Sequence, residues 1–125
     1  MNKARGFTLI ELMVTVMVVA VLMAIAIPSY RQSVIKGNRR AAQAVMMEMI
    51  SRQEQYFVAN RVYATKAELD YSLPQEVEAN YEYDFALDAG PPPSVTVNFV
   101  AEAGQVGDGD LSASTLGTKT PAEKW

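Results

Sequence analysis

The chain contains no cysteine and no histidine. Disulfides, thiolate nucleophiles and imidazole-based metal or proton-transfer sites are therefore excluded at once. The compartment is not, since an exported protein need not contain cysteine. Basic residues are scarce in the distal half: residues 62–125 hold Lys66, Lys119 and Lys124 against eleven acids, a balance of −8. Counterion release from a phosphate backbone needs clustered cations, so nucleic acid is not expected as a partner of that half. No proline or glycine follows Gly37 until Pro74, which leaves room for a long helix.

What is present is unevenly distributed. The 21 residues from Phe7 to Ile27 are apolar except for Thr8, Glu11 and Thr15. Roughly 20 apolar residues suffice for a helix to span a bilayer. The remainder of the 125-residue chain is enough for one small domain. Residues 31–61 carry six basic residues against Glu48 and Glu54, a balance of +4. Such a segment can face anionic lipid headgroups or acidic surfaces on identical neighbours.

The basic start and apolar run invite a signal-peptide reading, but the run is longer than an ordinary 7–15-residue h-region. No small-x-small cleavage site follows it, because Ile27-Pro28-Ser29-Tyr30 leads into a helical pattern. The plain alternative is an uncleaved anchor with Lys3 and Arg5 on the cytoplasmic side. That alternative leaves Glu11 unexplained. A carboxylate inside a bilayer costs on the order of 2.5–3.5 kcal/mol, and an intramembrane ionisable residue points to function and to a partner. Cutting between Gly6 and Phe7 would create an α-ammonium four residues before Glu11, the spacing of one helix face.

Lys3-Ala4-Arg5-Gly6-Phe7-Thr8-Leu9-Ile10-Glu11-Leu12-Met13 closely resembles the class III signal of type IV pilins, and Ala26-Ile27-Pro28-Ser29-Tyr30-Arg31 extends the resemblance. The resemblance implies a leader of residues 1–6, removed after Gly6 by a prepilin peptidase. It implies N-methylation of the new N-terminal Phe7 and a register role for Glu11 in assembly. Two positions depart from the pattern. Ala20 stands where many pilins have glycine, and alanine holds a helix better by about 1 kcal/mol. Lys124 stands where related tails carry a cysteine before the terminal tryptophan, so strand pairing and burial of Trp125 must hold the tail here.

Pro28 predicts a kink or break near residues 24–28. Beyond it, Ile35, Ala42, Met49 and Tyr56 recur every seven residues with Val45, Met46 and Ile50 alongside, an apolar helical stripe that should fade near Asn60. Arg61 to Glu78 reads as a surface connection with one short helical turn. Asn80–Leu87 alternates with Tyr81, Tyr83, Phe85 and Leu87 on one face, Ser94–Ala101 alternates again, and Leu111–Leu116 is a weaker third strand. Turns at Gly90–Pro93 and Gly104–Asp110 make this an antiparallel meander. The expected fold class is α+β: a long N-terminal hydrophobic helix packed on a small antiparallel sheet.

Catalysis finds little support, since Glu76, Glu78, Glu82, Asp84 and Asp88 fit the exposed face of a strand and its flanks. Asp108 and Asp110 in Gly107-Asp108-Gly109-Asp110 are weak calcium candidates, with an Asp-Gly turn as the plainer reading. No cofactor is expected. The sequence reads as a structural subunit of a type IV pilus or related filament. Residues 7–30 serve as membrane anchor and then filament core, and residues 31–125 as periplasmic, then extracellular, head. Its partners would be identical or related pilin subunits, the prepilin peptidase, the inner-membrane assembly machinery and the lipid bilayer. The rival is an uncleaved single-pass membrane protein with a periplasmic binding domain. Within the family, major pilin, minor pilin and type II secretion pseudopilin stay open, as do roles in adhesion, motility, DNA uptake and conduction.

Overall fold

Residues 6–125 are described by a computed structural model. The chain divides after Val34 into two units, and Ile35–Trp125 carries the packed core. Helix α1 runs Leu9–Asn60 with Pro28 inside it. Of the kink or break expected at Pro28, the break does not occur, since residues 20–28 are helical throughout. Proline removes a single donor, and the hydrogen bonds on either side carry the helix past it. The helix stops at Asn60, where Arg61 takes a left-handed conformation (φ 62°) and donates its N–H to the Phe57 carbonyl at 2.7 Å. That geometry is a helix C-terminal turn, usually made with glycine or asparagine.

Two short helical turns follow, where one was expected. Helix α2 spans Lys66–Leu69 and α3 spans Gln75–Glu78. Thr65 and Glu68 form a capping box at the start of α2. Pro74 is the N-cap residue of α3 and no obstacle to it, because a missing N–H costs nothing where no helical partner exists.

The sheet is a meander of strands β1 (Tyr81–Asp88), β2 (Ser94–Ala101), β3 (Leu111–Ser114) and β4 (Lys119–Thr120), in that spatial order. All neighbours are antiparallel, with Tyr83 opposite Phe99, Phe99 opposite Leu111, and Ser112 opposite Thr120. The third strand is shorter than the sequence implied, because the chain turns at Gly117 (φ 86°) to bring β4 back alongside. Ala42, Val45, Met46 and Met49 of α1 pack with Tyr81, Tyr83, Val97, Phe99, Leu111 and Ala113 of the sheet, closed at the side by Tyr71 and Val77. The stripe buries at Ala42, Val45, Met46 and Met49, while Ile35, Ile50 and Tyr56 are only half-buried. Leu87 departs from expectation at 45% exposed, since it sits near the hairpin turn where less of the core covers the face.

Candidate functional site

Gly6, Phe7 and Thr8 precede the first helical residue, Leu9. Thr8 occupies the N-cap position and Glu11 the third helical position. The Glu11 N–H donates to Thr8 Oγ1 at 3.2 Å, and the Thr8 N–H reaches Glu11 Oε2 at 3.5 Å. This is a capping box, in which a Ser/Thr and a Glu three residues later each accept from the other's backbone. The expected partner of Glu11 was an amine freed at Phe7 by cutting, and in the uncut chain Thr8 partners it instead. The Thr-x-x-Glu spacing ahead of an apolar run was the available signal. The first turn also favours an acid through the partial positive charge of the helix N-terminus.

A Cβ added at Gly6 would meet no atom within 4 Å among the described residues. The fold therefore places no steric demand for glycine there, and any requirement at Gly6 has to come from another molecule. The leader positions Lys3 and Arg5 lie outside the described residues.

Every residue from Gly6 to Val34 is exposed, Phe7 at 83%. Helix α1 is long and apolar enough to cross a membrane, and its apolar window has no buried share. At 1.5 Å per residue, the helical part of the run, Leu9–Ile27, extends about 28 Å, close to the thickness of a bilayer hydrocarbon core.

The acids singled out in the head have other uses. The Asp108 carboxylate accepts from Arg39 Nε at 2.6 Å, from Arg39 Nη2, and from Gln105 Nε2 at 3.1 Å. Both ends of the ion pair are largely buried, Arg39 with 18% and Asp108 with 8% of the side chain exposed. The Arg39 guanidinium holds the Asp108 carboxyl below the ordinary carboxylate range, against the opposing effect of burial. Asp108 in turn raises Arg39 further. The Asp108 backbone carbonyl accepts from the Lys124 ammonium, and Asp110 Oδ1 accepts the Ala101 N–H at 2.9 Å. The loop read as a calcium candidate is thus engaged by two cations of its own chain. No cluster of three or more metal-ligating side chains occurs among the described residues. Asp84 and Asp88 are similarly occupied, accepting the N–H groups of Phe85 and Gly90, each at 2.9 Å.

Two buried polar residues went unremarked in the sequence. Gln53 Nε2 donates to the Ala64 carbonyl at 2.7 Å, and Gln53 Oε1 accepts the Ala64 N–H at 2.8 Å. Gln105 Nε2 donates to the Ile35 carbonyl at 3.0 Å, linking the Asp108 loop to α1. At the outer edge of β1, the Lys66 ammonium donates to the Tyr83 carbonyl at 2.7 Å, a charged plug on a strand edge that would otherwise pair with another chain. Lys66, Tyr71, Glu78, Glu82 and Glu102 lie around a cleft of about 580 Å³ beside it.

A sequence-family model described as the type IV minor pilin ComP, DNA uptake sequence receptor, matches residues 28–112. A second, described as the prokaryotic N-terminal methylation motif, matches residues 1–27. The type IV wide pilus major component PilA4 of Thermus thermophilus is 32% identical over 65 residues, covering 52% of this chain and 50% of that protein. The prepilin peptidase-dependent protein D of Escherichia coli is 48% identical over 48 residues, covering 38% of this chain and 30% of that protein. The chain therefore spans half or less of the length of each of these curated relatives. With a methylation-motif match over residues 1–27 that takes in the exposed apolar run, and an α+β head matched over most of its length, the chain belongs to the type IV pilin family.

Proposed function

We propose that this chain is a filament subunit that is cut between Gly6 and Phe7 by a prepilin peptidase, N-methylated on Phe7, and moved from the inner membrane into a helical pilus. The observation that carries the reading is the exposed apolar surface of residues 7–27, which begins directly at the expected cut. Apolar surface of that extent is stable only against lipid or against other protein. Lipid covers it first and neighbouring copies cover it afterwards. Residues 7–30 act in both settings, while residues 31–125 form the head outside the inner membrane.

Glu11 then has two separable jobs. In the isolated chain it caps α1 with Thr8. In the filament its charge meets the free amine of a neighbour's Phe7 and sets the stagger. Glu11→Gln keeps a side-chain oxygen for the cap and removes the charge, whereas Glu11→Leu removes both. Losing one charge-assisted hydrogen bond, worth about 1.5–3 kcal/mol, should cut incorporation of the glutamine variant roughly 10- to 100-fold in competition with wild type. Intact mass of the filament protein is read alongside yield. Normal incorporation of Glu11→Gln would remove the register role, and residues 1–6 retained in filaments would remove the processing step. Abundance in sheared filaments separates a major from a minor subunit, and dependence on a secretion rather than a pilus system identifies a pseudopilin.

DNA reception is the second reading, favoured by the description of the family matched over residues 28–112. The cations open to phosphate are Arg31, Lys36, Arg40 and Arg61, all exposed and unpaired among the described residues. Lys66 and Lys124 are bonded to backbone carbonyls, and Lys119 lies 4.8 Å over the Trp125 ring. A duplex titration across salt concentrations tests this reading: sequence-dependent binding with a steep salt slope supports it, and none at low salt rejects it.

A further inference from the structure

We propose that the last seven residues, Lys119–Trp125, form a strap held shut by the Gly107–Asp110 loop with Lys124 as its catch, and that this strap opens while the rest of the head stays folded. The catch works from both ends of one residue. The Lys124 ammonium donates to the Asp108 carbonyl, and the Lys124 carbonyl accepts Gln43 Nε2 of α1 at 2.7 Å. Asp108 is a firm anchor, because its carboxylate is gripped by Arg39 of α1 and by Gln105. The tail is thereby tied to the helix and to the loop through a single lysine.

The remaining attachments of the strap are few. Strand β4 is two residues long, both exposed, and meets β3 only through Ser112 with Thr120 and Ala113 with Lys119. A two-residue ladder offers too few hydrogen bonds to offset the chain entropy of ordering seven residues. Trp125 is half-buried at the rim of the core, and its polar and cation contacts, Thr120 O at 3.4 Å and Lys119 Nζ at 4.8 Å, lie within the strap itself. No disulfide ties the segment down, since the chain has no cysteine. Opening would bare the edge of β3 at Leu111–Ser114 and the rim of the core beneath Trp125, giving the head a second surface.

Trp125 is the only tryptophan in the chain and so reports the strap directly. The test uses full-length protein in detergent micelles, comparing wild type with Lys124→Met, Lys124→Arg and Gln43→Leu. Acrylamide quenching of Trp125 is measured beside amide exchange in β4 and in the β2 core. Lys124→Met keeps the aliphatic stem and removes the ammonium. It should raise the opening equilibrium of the strap about 10-fold or more, the effect of losing one charge-assisted hydrogen bond. Quenching and β4 exchange should rise together, while Val97 and Phe99 keep their protection and Lys124→Arg stays near wild type. Unchanged quenching in both Lys124→Met and Gln43→Leu would show that the catch does not hold the strap. Equal loss of protection in β2 would show that the tail is integral to the fold, and would equally overturn the proposal.

Discussion

Replacing Gln53 by leucine would remove two hydrogen bonds from the interior while changing side-chain volume little. Gln53 is 0% exposed, as is Ala64, whose N–H and carbonyl it satisfies at 2.8 and 2.7 Å. The pair fixes the return of the chain just after α1 ends, with Arg61 turned through a positive φ. In Gln53→Leu both backbone groups of Ala64 would stay buried without partners, at about 1–3 kcal/mol each. Burial of the leucine side chain returns about 1.5–3 kcal/mol, leaving a net loss on the order of 1–3 kcal/mol. For a domain of this size that lowers Tm by about 5–20 °C. Gln53→Glu sharpens the test. An ionised carboxylate can accept from the Ala64 N–H but faces the Ala64 carbonyl with no proton to donate. Its folded pKa must then rise, so the variant loses stability as pH climbs above the ordinary glutamate value and regains it on acidification. Near-ultraviolet circular dichroism of the full chain in micelles follows the packed aromatics during melting. A Gln53→Leu melt within 2 °C of wild type, together with a pH-independent Gln53→Glu, would show that the clamp contributes nothing.

The Arg39–Asp108 pair sets an acid limb. Because Arg39 depresses the Asp108 pKa, its contribution is complete above the unfolded carboxylate value, near 3.9, and is lost as pH falls through the depressed folded value. The other groups facing Asp108 are the Gln105 amide and the Lys124 ammonium, with the buried Tyr81 hydroxyl nearby, which burial holds above the ordinary phenol range. Asp108→Asn should therefore be less stable than wild type at pH 6 and show a flatter loss below about pH 4 in urea titrations. An acid limb of unchanged slope would place the titrating group elsewhere. Met46 is fully buried where α1 meets the sheet, and Met46→Ala should cost about 2–5 kcal/mol, read as a lower urea midpoint at constant m.

The parts of this protein that were legible in its sequence are those whose cause is local. The stripe Ala42, Val45, Met46 and Met49 buries as its spacing says, because helix period alone decides which side chains share a face. Tyr81 and Tyr83 point inward by strand alternation for the same reason, while Leu87 shows that alternation assigns a face and not the depth of cover over it. The partners of the polar residues are not local. Arg39 and Asp108 lie 69 residues apart, Gln43 and Lys124 81 apart, and nothing in either neighbourhood encodes the match. Gln53 occupies a stripe position, four residues beyond Met49, and there a polar side chain looks like the edge of the apolar face until its clamp on Ala64 is seen. Strand β4 is too short for any alternation to register. Glu11 falls between these cases. Its cap by Thr8 was present in the local spacing, and that cap accounts for a carboxylate at the third helical position without any second molecule. The cap needs only an oxygen acceptor, however, and a glutamine would serve it without the cost of placing a charge beside lipid. What the cap leaves over is the charge itself, which the partial positive charge of the helix N-terminus favours in the isolated chain and which, under the proposed assembly, a neighbour's freed Phe7 amine would meet.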